Sequence, residues 1–123
     1  MKTIYENIYD KLNELGVFDV KESVHAKSGG LMDLVVEQLG KNHFSLSHYF
    51  EQNGDLVSDP DMEVRVIPEM KMAEALTYQD QFGFQRVYPE TDKIDVKAKK
   101  DLNAFLNNWL NNLLAQGFKI PKE

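Results

Sequence analysis

At 123 residues, with 42% hydrophobic and 11% aromatic side chains, the chain fits one globular domain able to bury a core without covalent staples. It has no cysteine, which excludes disulfides and thiolate metal sites and agrees with a reducing cytosol. A formal net charge of −6 argues against the basic patch through which duplex-binding domains release counterions, so no direct nucleic acid binding is expected. The first residues, Met1-Lys2-Thr3-Ile4-Tyr5-Glu6, carry neither the apolar run nor the small-residue cleavage site of a signal peptide. No apolar run approaches the length of a membrane span, so the expectation is a cytoplasmic protein with no membrane partner.

A helix is predicted over 3–15. Ile4, Tyr5, Ile8, Tyr9, Leu12 and Leu15 share one arc, Thr3 and Glu6 have capping-box spacing, and Gly16 suits the left-handed stop. The period then falls to about two. Strands are expected over 18–27, ending at Ser28-Gly29-Gly30, and over 31–39, apolar on both faces and therefore interior. After the Gly40-Lys41-Asn42 turn, 43–52 alternates, with Phe44, Leu46, His48 and Phe50 on one face. Asn53-Gly54 is a type I′ hairpin signal, followed by strands at 62–67, 70–78 and 82–88.

A long helix over 95–116 closes the chain. Leu102, Phe105, Leu106, Trp109, Leu110 and Leu113 form its apolar stripe, with Gly117 as the stop. Asn103, Asn107, Asn108, Asn111 and Asn112 read as its solvated outer face, with a partner surface as the alternative, and the lysine cluster Lys93, Lys97, Lys99 and Lys100 near its start as a solvated face. The fold class is α+β: a five- to six-stranded antiparallel meander between an N-terminal helix and a long C-terminal one, in a single domain.

Chemistry is harder to find. His25, His43 and His48 form no metal-ligand spacing, there is no glycine-rich phosphate loop, and no cofactor or metal site is expected. One candidate constellation remains. From Glu51 to Glu63 the chain holds five carboxylates, Glu51, Asp55, Asp59, Asp61 and Glu63, and His48 enters the same hairpin. Proline at 60 breaks calcium-loop spacing, and turn-forming Asp and Asn account for most of the acids. The candidate ligand- or partner-binding residues are His48, Tyr49, Glu51, Asn53, Asp55, Asp59 and Asp61.

Strand register bears on that constellation. If Asn53-Gly54 is a two-residue turn, opposite residues sum to 107, which would turn Met62 and Val64 to solvent. A bulge at Asp59-Pro60-Asp61 would restore them to the core and leave His48 facing inward beside Asp59 or Asp61.

The stretch His48-Tyr49-Phe50-Glu51-Gln52-Asn53-Gly54-Asp55-Leu56-Val57-Ser58-Asp59-Pro60-Asp61-Met62-Glu63 resembles the central motif of a small bacterial domain family of unknown function associated with phages, plasmids and conjugative elements. Ala75-Leu76-Thr77-Tyr78-Gln79-Asp80, with Gly83 and Gln85-Arg86-Val87-Tyr88, resembles its later strand pair, so the likeness covers 31–88. It implies a mobile-element context and no mechanism. The leading expectation is a non-enzymatic accessory or protein-binding module, monomeric or homodimeric. The alternative is a small ligand-binding protein or enzyme built on His48 and the acidic hairpin Asp55 to Asp61.

Overall fold

The computed structural model describes residues 2–28 and 32–120, with the side chains of residues 50–52 and 55–59 outside that description. Helix α1 runs Ile4–Leu15. Its capping box is complete: the Thr3 hydroxyl accepts from the Glu6 N–H at 3.2 Å, and the Glu6 carboxylate accepts from the Thr3 N–H at 3.0 Å. Gly16, at φ 100°, ends the helix, and any Cβ there would also lie 3.1 Å from the Ile120 carbonyl oxygen.

The next segment departs from expectation. Val17–Asp19 is a 3-10 turn, and the first strand, β1, is confined to Ser23–Ala26 instead of 18–27. The left-handed Gly16 reverses the chain, and bonds from Asp19 to Gly16 and from Val20 to Val17 tighten it. Val17 and Val20, three apart, are thereby both buried, while Phe18 packs between Tyr9 and Phe44. The Phe18/Val20 alternation is therefore incidental. The Gly29-Gly30 turn and the Leu31 start of the second strand lie outside the described residues.

Strands β2 (Asp33–Gly40), β3 (His43–Gln52), β4 (Asp55–Ile67), β5 (Met72–Ala75), β6 (Thr77–Gln79) and β7 (Phe84–Arg86) follow. All pairs are antiparallel, in the order β1-β2-β3-β4-β6-β7, with β5 also on β4. Among the described residues the sheet thus has seven strands where five or six are expected, because the single strand over 70–78 is divided. Pro68–Met70 forms a 3-10 turn, and an extra residue around Leu76 separates β5 from β6. The Leu76 N–H still reaches the Glu63 carbonyl, and the Thr77 hydroxyl accepts from the Glu63 N–H at 3.2 Å. Side chain replaces ladder where the register slips.

The hairpin register resolves as the hydrophobic pattern requires. Asn53 (φ 54°) and Gly54 (φ 84°) form the turn, and Gln52 faces Asp55. Tyr49 pairs with Ser58 but Ser47 with Asp61, so β4 carries one extra residue opposite His48, at Asp59-Pro60. Met62 and Val64 are consequently buried, opposite Leu46 and Phe44.

Helix α2 spans Val96–Ala115, with the Asp95 carboxylate accepting from the Ala98 N–H at 3.0 Å. At its end Gly117 adopts φ 86° and the Phe118 N–H returns to the Leu113 carbonyl. In space the two helices pack side by side on one face of the sheet. Phe18, following α1, meets Phe44, and Trp109 of α2 meets His48, two inward residues of β3. No helix among the described residues is long and apolar enough to cross a membrane.

Two readings of α2 need correction. Asn103 is not on a solvated face: it is 1% exposed and bonded to β5. Asn107 is half-buried and accepts from Lys11, leaving Asn108, Asn111 and Asn112 exposed. Lys99 likewise leaves its solvated cluster for a network at the sheet edge.

Candidate functional site

The β3–β4 hairpin disperses the residues that the sequence groups. His48 is 8% exposed, on the core face, with its ring centroid 5.5 Å from that of Trp109 and 5.8 Å from that of Phe118. Its Nδ1–H donates to the Asp33 carbonyl at 3.2 Å, so a backbone acceptor satisfies that nitrogen. Tyr49, half-buried, and Asp61, paired with Ser47, occupy the opposite face. Asn53 is exposed at the turn. The side chains of Glu51, Asp55 and Asp59 lie outside the described residues.

Alternation along β3 delivers His48 to the core with Phe44 and Leu46, while the bulge in β4 turns Asp61 away from it. This predicts that His48→Gln lowers the melting temperature, because the ring contacts to Trp109 and Phe118 are lost. A variant with unchanged melting would contradict that packing.

On the outer face, Asp61 is held above the usual carboxylate range, first by burial and then by the charges of Glu63 and Glu37. An acid whose folded pKa is raised binds its proton more tightly folded than unfolded. Its contribution weakens the fold as pH rises above the ordinary aspartate range, and is absent below it. Asp61→Asn is accordingly expected to raise the melting temperature at pH 7 and leave it unchanged at pH 3, in paired thermal melts. No group of three or more His, Asp or Glu among the described residues is placed to hold a metal ion.

Two constellations absent from the sequence reading stand out in space. The first lies around β5, where it meets α2. Ala73 and Ala75 face the core, so Glu74, between them, projects the other way, with its side chain 8% exposed. One carboxylate oxygen accepts from Arg65 at 2.7 Å and the other from the Tyr88 hydroxyl at 2.5 Å. Lys99 comes from α2 to donate to Tyr88 at 3.3 Å, with its ammonium over the rings of Tyr5 and Tyr88 and 4.0 Å from Glu74.

These contacts move the titrations together. Burial and then Glu74 raise the Tyr88 phenol, and the Glu74 hydrogen bond raises Arg65. For Lys99 burial works against the charge, yet Tyr88 and Glu74 prevail and raise it. A lone acid in Met72-Ala73-Glu74-Ala75 was the available signal, but its partners are remote in sequence.

The second constellation is the β6–β7 hairpin. Asp80 Oδ1 accepts from the Phe82 and Gly83 N–H groups at 2.8 and 3.0 Å, while Oδ2 accepts from the Tyr78 hydroxyl at 2.9 Å. These bonds, the Phe82 amide foremost, hold the Asp80 carboxyl below its ordinary range. The cap is therefore complete above the ordinary aspartate range and is lost only as pH falls through the depressed value.

The turn so fixed displays Phe82 at 95% exposure. All three residues of β7 are exposed, and the strand ends the sheet. Beside it, on the outer face, Glu63, Leu76, Thr77, Phe84, Arg86 and Tyr88 line a depression of about 260 Å³.

A family model described as a domain of unknown function, DUF6908, matches residues 3–119. The match reaches into both terminal helices, beyond the 31–88 covered by the resemblance read from motifs. No curated protein and no solved structure matches the chain.

Proposed function

This chain belongs to the DUF6908 family, whose function is unknown, and from the geometry we propose that it is a non-enzymatic protein-binding module whose contact surface is the β6–β7 hairpin. The observation that carries this reading is Phe82, almost fully exposed on a turn that Asp80 holds rigid, next to a terminal strand with every residue exposed. A large apolar ring held in solvent on a fixed turn, with Phe84 at 47% exposure nearby, suits an aromatic anchor at an interface.

A free terminal strand accepts an extended partner segment by backbone hydrogen bonding, and the adjoining depression receives one of its side chains. The opposite edge is less suited: β1 is flanked by Lys21 and Lys27, charges that blunt pairing. The net charge of −6 favours a basic partner. The resemblance of the His48 to Glu63 segment supports a setting among cytoplasmic accessory proteins of bacterial mobile elements. The alternative built on His48 has less support, because its ring is packed into the core and lines neither cavity found beside β5 or β7.

The test places a photo-crosslinking residue at position 82 and, as control, at position 53 on the other hairpin, in the native host. A discrete adduct specific to position 82, lost when Phe84→Ser is added without change in the circular dichroism, is expected. Equal labelling from both positions would defeat the proposal.

A further inference from the structure

We propose that the cavity between α1, β5 and α2, lined by Tyr5, Ile67, Met70, Met72, Ala73, Glu74 and Lys99, binds a small monocarboxylate with an apolar tail. It measures about 250 Å³ and lies on the other side of the Glu74 network from the β7 depression. Its walls are mainly apolar, with Met70 and Met72 offering a flexible surface, Ile67 a stiffer aliphatic one and Tyr5 an aromatic one. Met70 is 60% exposed at its rim, so the cavity opens to solvent.

The polar end decides the ligand's charge. Glu74 already uses both carboxylate oxygens, one for Arg65 and one for Tyr88. Lys99 does not use all its donors: among the described residues its hydrogen-bond acceptor is the Tyr88 hydroxyl, at 3.3 Å, and the Glu74 oxygen is 4.0 Å away, beyond hydrogen-bond reach. Two cations, Arg65 and Lys99, face one anion, Glu74, which leaves the cluster with a single positive charge. A monoanion completes it. An amine would add a third cation to the cluster, and a phosphate dianion would exceed the available charge. The apolar walls then select an aliphatic tail in preference to a sugar.

The inference is independent of the β7 proposal, since it uses a different surface and a different ligand. Its test titrates the full chain with hexanoate, hexanamide and hexylamine at constant ionic strength, following backbone amide resonances. Hexanoate is expected to shift Met72, Ala73, Glu74 and Lys99 saturably, about tenfold more tightly than hexanamide, as an ion pair with the Lys99 ammonium replaces its hydrogen bond to a neutral carbonyl. Lys99→Met should bring hexanoate down to the level of the amide, and Lys99→Arg should retain the preference. Should Lys99→Met lose its native spectrum, the comparison of the three probes on the unaltered chain still decides. No saturable shift with hexanoate, equal binding of the three, or tightest binding of hexylamine would each overturn the assignment.

Discussion

Trp109→Ala is expected to remove about 3–5 kcal/mol of stability, out of a total of about 5–15 kcal/mol for a domain of this kind. Trp109 is 7% exposed at the middle of the α2 stripe. Its ring lies 5.5 Å from His48 on the sheet and 6.2 Å from Phe105 on its own helix. Truncation would open a cavity where helix and sheet meet, because Leu106, Leu110 and Leu113 are already fully buried against other partners and cannot move in to fill it. Urea unfolding of both chains measures the loss. As the sole tryptophan, Trp109 also reports on its own burial: native fluorescence should resist iodide, and free quenching would contradict the packing.

The same helix shows what could and could not be read in advance. Its glycine stop, its stripe apart from the exposed Phe105, and the burial of Trp109 follow from spacing alone, as do the α1 capping box and the Asn53-Gly54 turn. Even the bulge at Asp59-Pro60 was legible, since a regular ladder would have exposed Met62 and Val64 while proline could not donate to it.

What escaped is where neighbours remote in sequence decide a polar residue's role. The lone acid at position 74 gives no hint that Arg65, Tyr88 and Lys99 converge on it from three elements. Spacing places Phe82 in a strand over 82–88, but the Asp80 turn that displays it takes 82 and 83 out of the ladder. The acidic hairpin is conspicuous in composition, yet the bulge that returns Met62 and Val64 to the core turns Asp61 to the face opposite His48.

Asn103→Leu should also destabilise the helix's seat on the sheet, and for a different reason. Seven residues before Leu110, Asn103 lies almost two turns away and so on the same flank, which takes it to the sheet and not to solvent. There it meets the free edge of β5. The Leu76 N–H points to β4, so the adjacent Ala75 N–H points outward, into a buried edge where no strand of the described residues lies. Asn103 Oδ1 accepts that proton at 2.8 Å, and its Nδ2 donates to the Lys99 carbonyl at 2.7 Å. Leucine keeps the volume and removes the acceptor, leaving a buried N–H unsatisfied at about 1–3 kcal/mol. Amide exchange at Ala75 should accelerate in the same variant.

Asn103→Asp separates hydrogen bonding from packing. As a neutral acid it can still accept from Ala75 and donate to Lys99, whereas ionisation buries a charge in a site 1% exposed. Burial would raise its folded pKa, so the variant should be near wild type in stability at pH 3–4 and weaken steadily as pH rises above the ordinary aspartate range. Equal destabilisation at both ends of that range would show that Asn103 holds the helix to β5 by shape, and not by supplying the acceptor that the sheet edge lacks.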